Sequence, residues 1–138
     1  MKKTITNKEL IQIFQRISSL SQNAYPFQIS RSIVKTSYAL REEYQIYLNH
    51  FRSIGDEYFR KDENGNYKID QNGGYILNSK TDSEKVFSIL NELLQEKVED
   101  VEFVQFSENE MEKIKEITPE DYEFFEKYLI KEENRKEQ

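Results

Sequence analysis

The sequence predicts an α+β, mainly α fold, with one long central helix, three or four shorter helices and a small antiparallel β-hairpin or sheet. Three observations carry that expectation. An apolar stripe recurs at alternating four- and three-residue steps from Ile33 to Tyr58. Capping boxes and a Thr-Pro start signal announce further helices, and two Asn-Gly turns sit in a stretch bearing Tyr and Ile.

The first helix is expected over roughly residues 7–20. Thr6-Asn7-Lys8-Glu9 is a capping box, and Leu10, Ile13, Phe14, Ile17 and Leu20 follow at helical spacing until Tyr25-Pro26 interrupts them. From about Ser30 the stripe Ile33, Ser37, Leu40, Tyr44, Tyr47, Phe51, Ile54 and Tyr58 fits an a/d heptad pattern. A helix of that extent is about 45 Å long, which makes a partner helix from a second copy plausible. Tyr at two seam positions and Ser37 at another make a poor zipper, so an intramolecular core is favoured. Gly55 marks a kink or an early stop.

Residues 62–77 read as a small β-hairpin around Asn64-Gly65 and Asn72-Gly73-Gly74. Thr81-Asp82-Ser83-Glu84 caps a strongly apolar helix over about 82–96. Val98 to Phe106 nearly alternates apolar with polar residues and reads as a strand that pairs with the hairpin. A short helix capped by Ser107 is expected next. A last one starts at Thr118-Pro119-Glu120-Asp121, with Tyr122, Phe125 and Leu129 on one side. The chain shows no long internal repeat. It reads as a single domain over 1–130, followed by a polar tail over 131–138 that is expected to fray.

The search for chemistry returns little. With no Cys, thiolate metal sites, disulfides and cysteine nucleophiles are excluded, and the single histidine, His50, has no second imidazole to work with. Asp62, Asn64 and Asn66 alternate as in a calcium loop, but the sixth position is Tyr67 and the twelfth is Gly73, so the EF-hand pattern fails. No Gly-Lys-Ser/Thr follows the glycines, which removes the phosphate-loop reading. Glu42-Glu43 and Glu120-Asp121 sit where solvation or the helix dipole explains them. The expectation is therefore a non-enzymatic protein with no catalytic residue, cofactor or metal.

Charge is the more informative feature. Residues 1–61 hold ten Lys and Arg against five acids, a balance of +5, so with −6 for the whole chain the remainder carries −11. Within 96–126, twelve acids face three Lys, a balance of −9. Such density can imitate a phosphate backbone and occupy a basic nucleic-acid groove. The expected partner-binding residues are Glu99, Glu102, Glu108, Glu110, Glu112 and Glu116. The partner would be a protein, with the basic surface of a host nucleic-acid-binding protein as one candidate and a second copy of the chain as another. Lys2, Lys3 and Lys8 form only a modest cluster without a stacking platform, which disfavours direct nucleic-acid binding. No apolar stretch approaches a membrane span, and the N-terminus lacks the apolar core of a signal peptide, so the expected location is the cytosol.

The order of elements is itself suggestive. Thr6-Asn7-Lys8-Glu9-Leu10, a long Tyr-rich helix, Asp62-Glu63-Asn64-Gly65-Asn66-Tyr67, the passage from Leu93-Leu94 to Val101-Glu102-Phe103, and Thr118-Pro119-Glu120-Asp121-Tyr122 follow one another. Together they resemble an uncharacterised family, a domain of unknown function, of small proteins from phages and prophages of low-GC Gram-positive bacteria. The resemblance covers most of residues 4–130. It implies a phage origin and a host-cytosol setting, and it carries over no site residues. The combined expectation is a phage protein that binds and modulates a host or defence protein through its acidic region. The alternative is a virion assembly protein that self-associates through the long helix.

Overall fold

The computed structural model describes residues 1–79 and 81–131. In chain order the elements are β1 (Lys2–Thr6), α1 (Asn7–Leu20), α2 (Phe27–Tyr58), α3 (Ser83–Gln95), β2 (Lys97–Glu102), a 3₁₀ helix (Glu108–Lys113) and α4 (Pro119–Tyr128). The mainly α, α+β class is as the sequence predicts. All but the first residue of the polar tail lies outside the described residues.

The capping box holds. Thr6 Oγ1 accepts from the Glu9 amide at 3.2 Å, and the Glu9 carboxylate accepts from the Thr6 amide at 3.1 Å. The residues leading into this cap had no assignment from sequence; with Thr6 they form β1, antiparallel to β2, with Lys3 opposite Val101 and Ile5 opposite Val98. The pairing steps two residues along β1 and three along β2, so β2 carries a bulge, and Asp100 there takes a φ of 57°. The expected strand Val98 to Phe106 is thus corrected twice: its ladder ends at Glu102, and its partner is β1, not the 62–77 region.

That region is not a single hairpin. Phe59, Tyr67 and Tyr75 recur every eight residues, as do Asp62 and Asp70 at the turns, where each carboxylate accepts two amides of its own loop. Three rungs close on themselves: the Arg60 amide donates to the Ile76 carbonyl at 2.8 Å, Ile76 to Lys68 at 3.0 Å, and Lys68 to Arg60 at 2.8 Å. With these groups satisfied internally, the closed triplet has no need of β2. Its three rings cluster, with Phe59 and Tyr75 stacked at 4.6 Å and Tyr67 edge-on to Phe59 at 5.4 Å.

The triplet docks on the end of α2 at Gly55, through which the helix continues to Tyr58. A Cβ there would lie 2.6 Å from Tyr67 Cζ, so only glycine admits the ring. The Tyr67 hydroxyl lies 2.8 Å from Asp56 Oδ1, and the Lys61 ammonium pairs with the same carboxylate at 2.7 Å. These two contacts hold the Asp56 carboxyl below its usual range. Burial, followed by that same carboxylate, pushes the Tyr67 phenol up to about 12.

α2 begins at Phe27, three residues earlier than expected, and its 32 residues span about 48 Å. The stripe is real but its buried line is shifted: Ile29, Ser32, Ile33, Thr36 and Leu40 are buried, while Ser37 lies off that line and bonds its own helix at Val34. Beyond Leu40 the seam aromatics Tyr44, Tyr47 and Phe51 are half-buried and form a ladder from Phe14 to Phe59. The core lies against the first half of α2, built from α1, the β1–β2 ribbon and α4. Phe103 and Phe125 are fully buried in it. Three smaller expectations need revision. Asp82, not Thr81, caps α3; only Val86 and Leu93 of that helix are buried, Phe87 being 67% exposed; and Tyr122 faces solvent rather than joining Phe125 and Leu129.

Candidate protein-binding surface

Two polar contacts fix the segment that leads into the acidic region. Thr36 Oγ1 accepts the Val104 amide at 2.9 Å and Ser32 Oγ donates to the Val104 carbonyl, so two buried side chains of α2 satisfy both backbone polar groups of one residue. Phe106 then pairs in parallel with Ile130, donating to the Leu129 carbonyl at 2.8 Å. The 3₁₀ helix follows, its first turn capped by the Ser107 hydroxyl accepting from Asn109, and Met111, Ile114 and Ile117 press it onto the core. A short turn rich in Glu is thereby held at fixed geometry.

The six carboxylates expected to bind a partner do not form one patch. Glu99 stands on the β2 bulge and lines a polar cleft of about 210 Å³ with Glu43, Tyr47, His50 and Glu96. Glu116 lines a different cleft beside Ala24, Tyr25 and Pro26. Pro26 and Glu43 are 17 residues apart on the α2 numbering, which separates the two clefts by about 25 Å along the helix. Two of the six are already matched: Glu102 by the N-terminal ammonium at 3.3 Å, and Glu110 by Lys113 at 3.0 Å. Glu99, Glu108, Glu112 and Glu116 are exposed and form no ion pair among the described residues.

The same folding brings front cations onto back acids. Arg16 of α1 pairs with Asp121 and reaches Glu120 at 3.8 Å, and the Lys3 ammonium donates to the Lys127 carbonyl at 3.2 Å. A groove of about 410 Å³ between α1 and α4 is lined by both signs, Glu9, Arg16, Glu123 and Lys127 among them. The charge polarity of the sequence is therefore partly cancelled in space, and Glu108 and Glu112 of the 3₁₀ helix are among the exposed acids that keep no ion pair among the described residues.

His50 is exposed, and among the described residues no three His, Asp or Glu converge to hold a metal ion. Residues missed at the sequence level are Phe27 and Tyr38, which stand 75% and 58% exposed on the outer side of α2. Their signal was available as large apolar residues off the seam, among Arg31, Lys35 and Arg41. Comparison with family models, curated proteins and solved structures finds no match to this chain. None of the described helices is long and apolar enough to cross a membrane.

Proposed function

We propose that this chain is a phage-encoded, non-enzymatic protein-binding protein that offers the carboxylates of its 3₁₀ helix to a basic surface on a host protein. The observation that supports this reading is that Glu108 and Glu112, on a 3₁₀ turn whose Met111 packs on the core, and Glu116 just beyond that turn are exposed and form no ion pair among the described residues. Binding through preorganised carboxylates loses little conformational entropy and accelerates encounter with a basic partner. The phage origin rests on the resemblance described above, and a host nucleic-acid-binding protein is a partner class whose basic surface suits exposed carboxylates.

The test compares the wild type with a variant carrying Glu108→Gln, Glu112→Gln and Glu116→Gln as bait in lysate of a low-GC Gram-positive host. The wild type is expected to retain a saturable basic protein that elutes as salt rises, and the variant to lose it. Equal retention by both baits across the salt series would refute the assignment.

A further inference from the structure

We infer that the outer face of α2 is a docking seat for an acidic amphipathic helix of a partner protein, formed by Phe27, Val34 and Tyr38 and by the cations set among them. The carboxylates of the 3₁₀ helix play no part in it.

At about 100° per residue, Phe27, Arg31, Val34, Tyr38, Arg41 and Gln45 fall on one line along α2, opposite the buried Ile29, Ser32, Ile33, Thr36 and Leu40. All six are exposed, Phe27 by 75%, Tyr38 by 58% and Val34 by 39%. Their alternating steps of four and three make a second heptad row, turned away from the core and about 27 Å long. Residues 27–41 contain Arg31, Lys35 and Arg41 and no acid, in a chain whose net charge is −6; Glu42, at the flank of the row, is the first acid of the helix. The three cations are exposed and form no ion pair among the described residues, and Arg41 rests 5.7 Å from the Tyr38 ring. Large apolar side chains left in water among unpaired cations are the composition of a contact face.

Spacing and sign together select the occupant. A row of exposed knobs at heptad spacing is covered by another helix lying along it, whose side chains fill the gaps between Phe27, Val34 and Tyr38. The cations set the sign of that helix: carboxylates flanking its apolar seam meet Arg31, Lys35 and Arg41, whose stems cover apolar surface while their charged heads stay hydrated. A second copy of this chain does not supply such a helix. The same row of its α2 would bring cations against cations, and its Glu-rich elements, the 3₁₀ helix and α4, are six and ten residues long, about 15 Å at most against the 27 Å of the row. An anionic membrane fits less well, because Arg31 and Arg41 stand in the line of the apolar side chains rather than at its margins and would be buried with them. Single-stranded nucleic acid stacks its bases on closely spaced rings, whereas Phe27 and Tyr38 are about 16 Å apart along a convex helix.

The probe is a fluorescent synthetic helix of about four heptads with Leu at its seam and Glu at the flanking positions, compared by anisotropy titration with the same helix carrying Lys for Glu. The wild type is expected to bind the Glu helix, more weakly as salt rises, and not the Lys helix. Phe27→Ser should lower that affinity about tenfold or more, and Arg31→Glu with Arg41→Glu should switch the preference from the Glu helix to the Lys helix. All three positions are exposed, so both variants should melt close to the wild type, which circular dichroism checks. Failure of the wild type to bind the Glu helix overturns the inference. So does equal binding of the two helices, or a Phe27→Ser variant that binds like the wild type. A wild type that ignores the Glu helix but takes a fluorescent oligothymidylate or phosphatidylglycerol vesicles in a Phe27-dependent way overturns it too, and assigns the face to nucleic acid or to membrane. Self-association that Phe27→Ser abolishes, without binding of the Glu helix, overturns it in favour of a second copy.

Discussion

Replacing Thr36 by Val exchanges a hydroxyl for a methyl of nearly the same shape at a position with no solvent exposure. The Val104 amide, which donates to Thr36 Oγ1 at 2.9 Å, would then face a hydrocarbon, while Ser32 still satisfies the Val104 carbonyl. A buried amide left without an acceptor costs about 1–3 kcal/mol, and the added apolar burial returns at most about 0.8 kcal/mol. The expected net loss is about 1–2 kcal/mol, or roughly 3–8 °C in melting temperature for a chain of this size. Urea unfolding should show the same loss as a lower midpoint with an unchanged slope. Thr36→Ser keeps the acceptor and gives up one methyl, so it should be the milder variant. If the Val variant is as stable as the wild type and the Ser variant is the weaker, packing rather than this hydrogen bond fastens 103–106 to α2, and the account of how the acidic turn is positioned fails.

Three further outcomes follow from other contacts. Gly55→Ala should destabilise by about 1–2 kcal/mol despite a gain of about 1 kcal/mol in helix propensity, because Tyr67 and Phe59 occupy the space of the new methyl; in a Tyr67→Ala background, where only the Phe59 ring still crowds it, the same change should cost clearly less, which a double-mutant cycle by thermal unfolding reads directly. Tyr67 holds its proton to about 12 in the folded chain against 10.0 for an ordinary tyrosine, so its contribution is complete below pH 10 and is lost as pH rises toward 12. Ultraviolet titration of the nine tyrosines should show a late component that Tyr67→Phe removes. Asn7 donates from its buried side chain to the Leu93 carbonyl at 2.8 Å, so Asn7→Ala should cost about 1–3 kcal/mol and speed amide hydrogen exchange at the end of α3.

The helices were legible because their signals are local. Thr6 with Glu9, Thr118 before Pro119, and the stripe on α2 each fall within one or two turns of chain. β1 was not, because Lys2–Thr6 is five residues long and its partner lies about 95 residues away, where no periodicity in either segment announces the other. The expected pairing of Val98 to Phe106 with the hairpin followed the same gap: with β1 unseen, the Asn-Gly turns offered the nearest strand. The eight-residue recurrence of Phe59, Tyr67 and Tyr75 was visible in the sequence, but two Asn-Gly turns suggest an open hairpin, and the closing rung between Phe59 and Leu77 depends on how each short segment bends. Phe27 escaped notice because it precedes the seam that seemed to define its helix, and exposure of a first-turn residue depends on what packs nearby.

Net charge read along the chain proved a coarse guide to the surface for a reason that also limits the candidate site. At physiological ionic strength, exposed charges further apart than about 8 Å act nearly independently. Glu99 lies about 25 Å along α2 from the cleft of Glu116, so its carboxylate adds little to the field that a partner meets at the 3₁₀ helix. Glu102 and Glu110 are matched by the N-terminal ammonium and Lys113, and Asp121 by Arg16, which leaves a local set rather than the −9 of the segment. A Glu99→Gln change should therefore leave partner binding within about twofold of the wild type, whereas Glu112→Gln alone should weaken it measurably at low salt. Equal losses from the two changes would mean that the partner spans both clefts, and the contact would then run along the length of α2 instead of ending at the 3₁₀ helix.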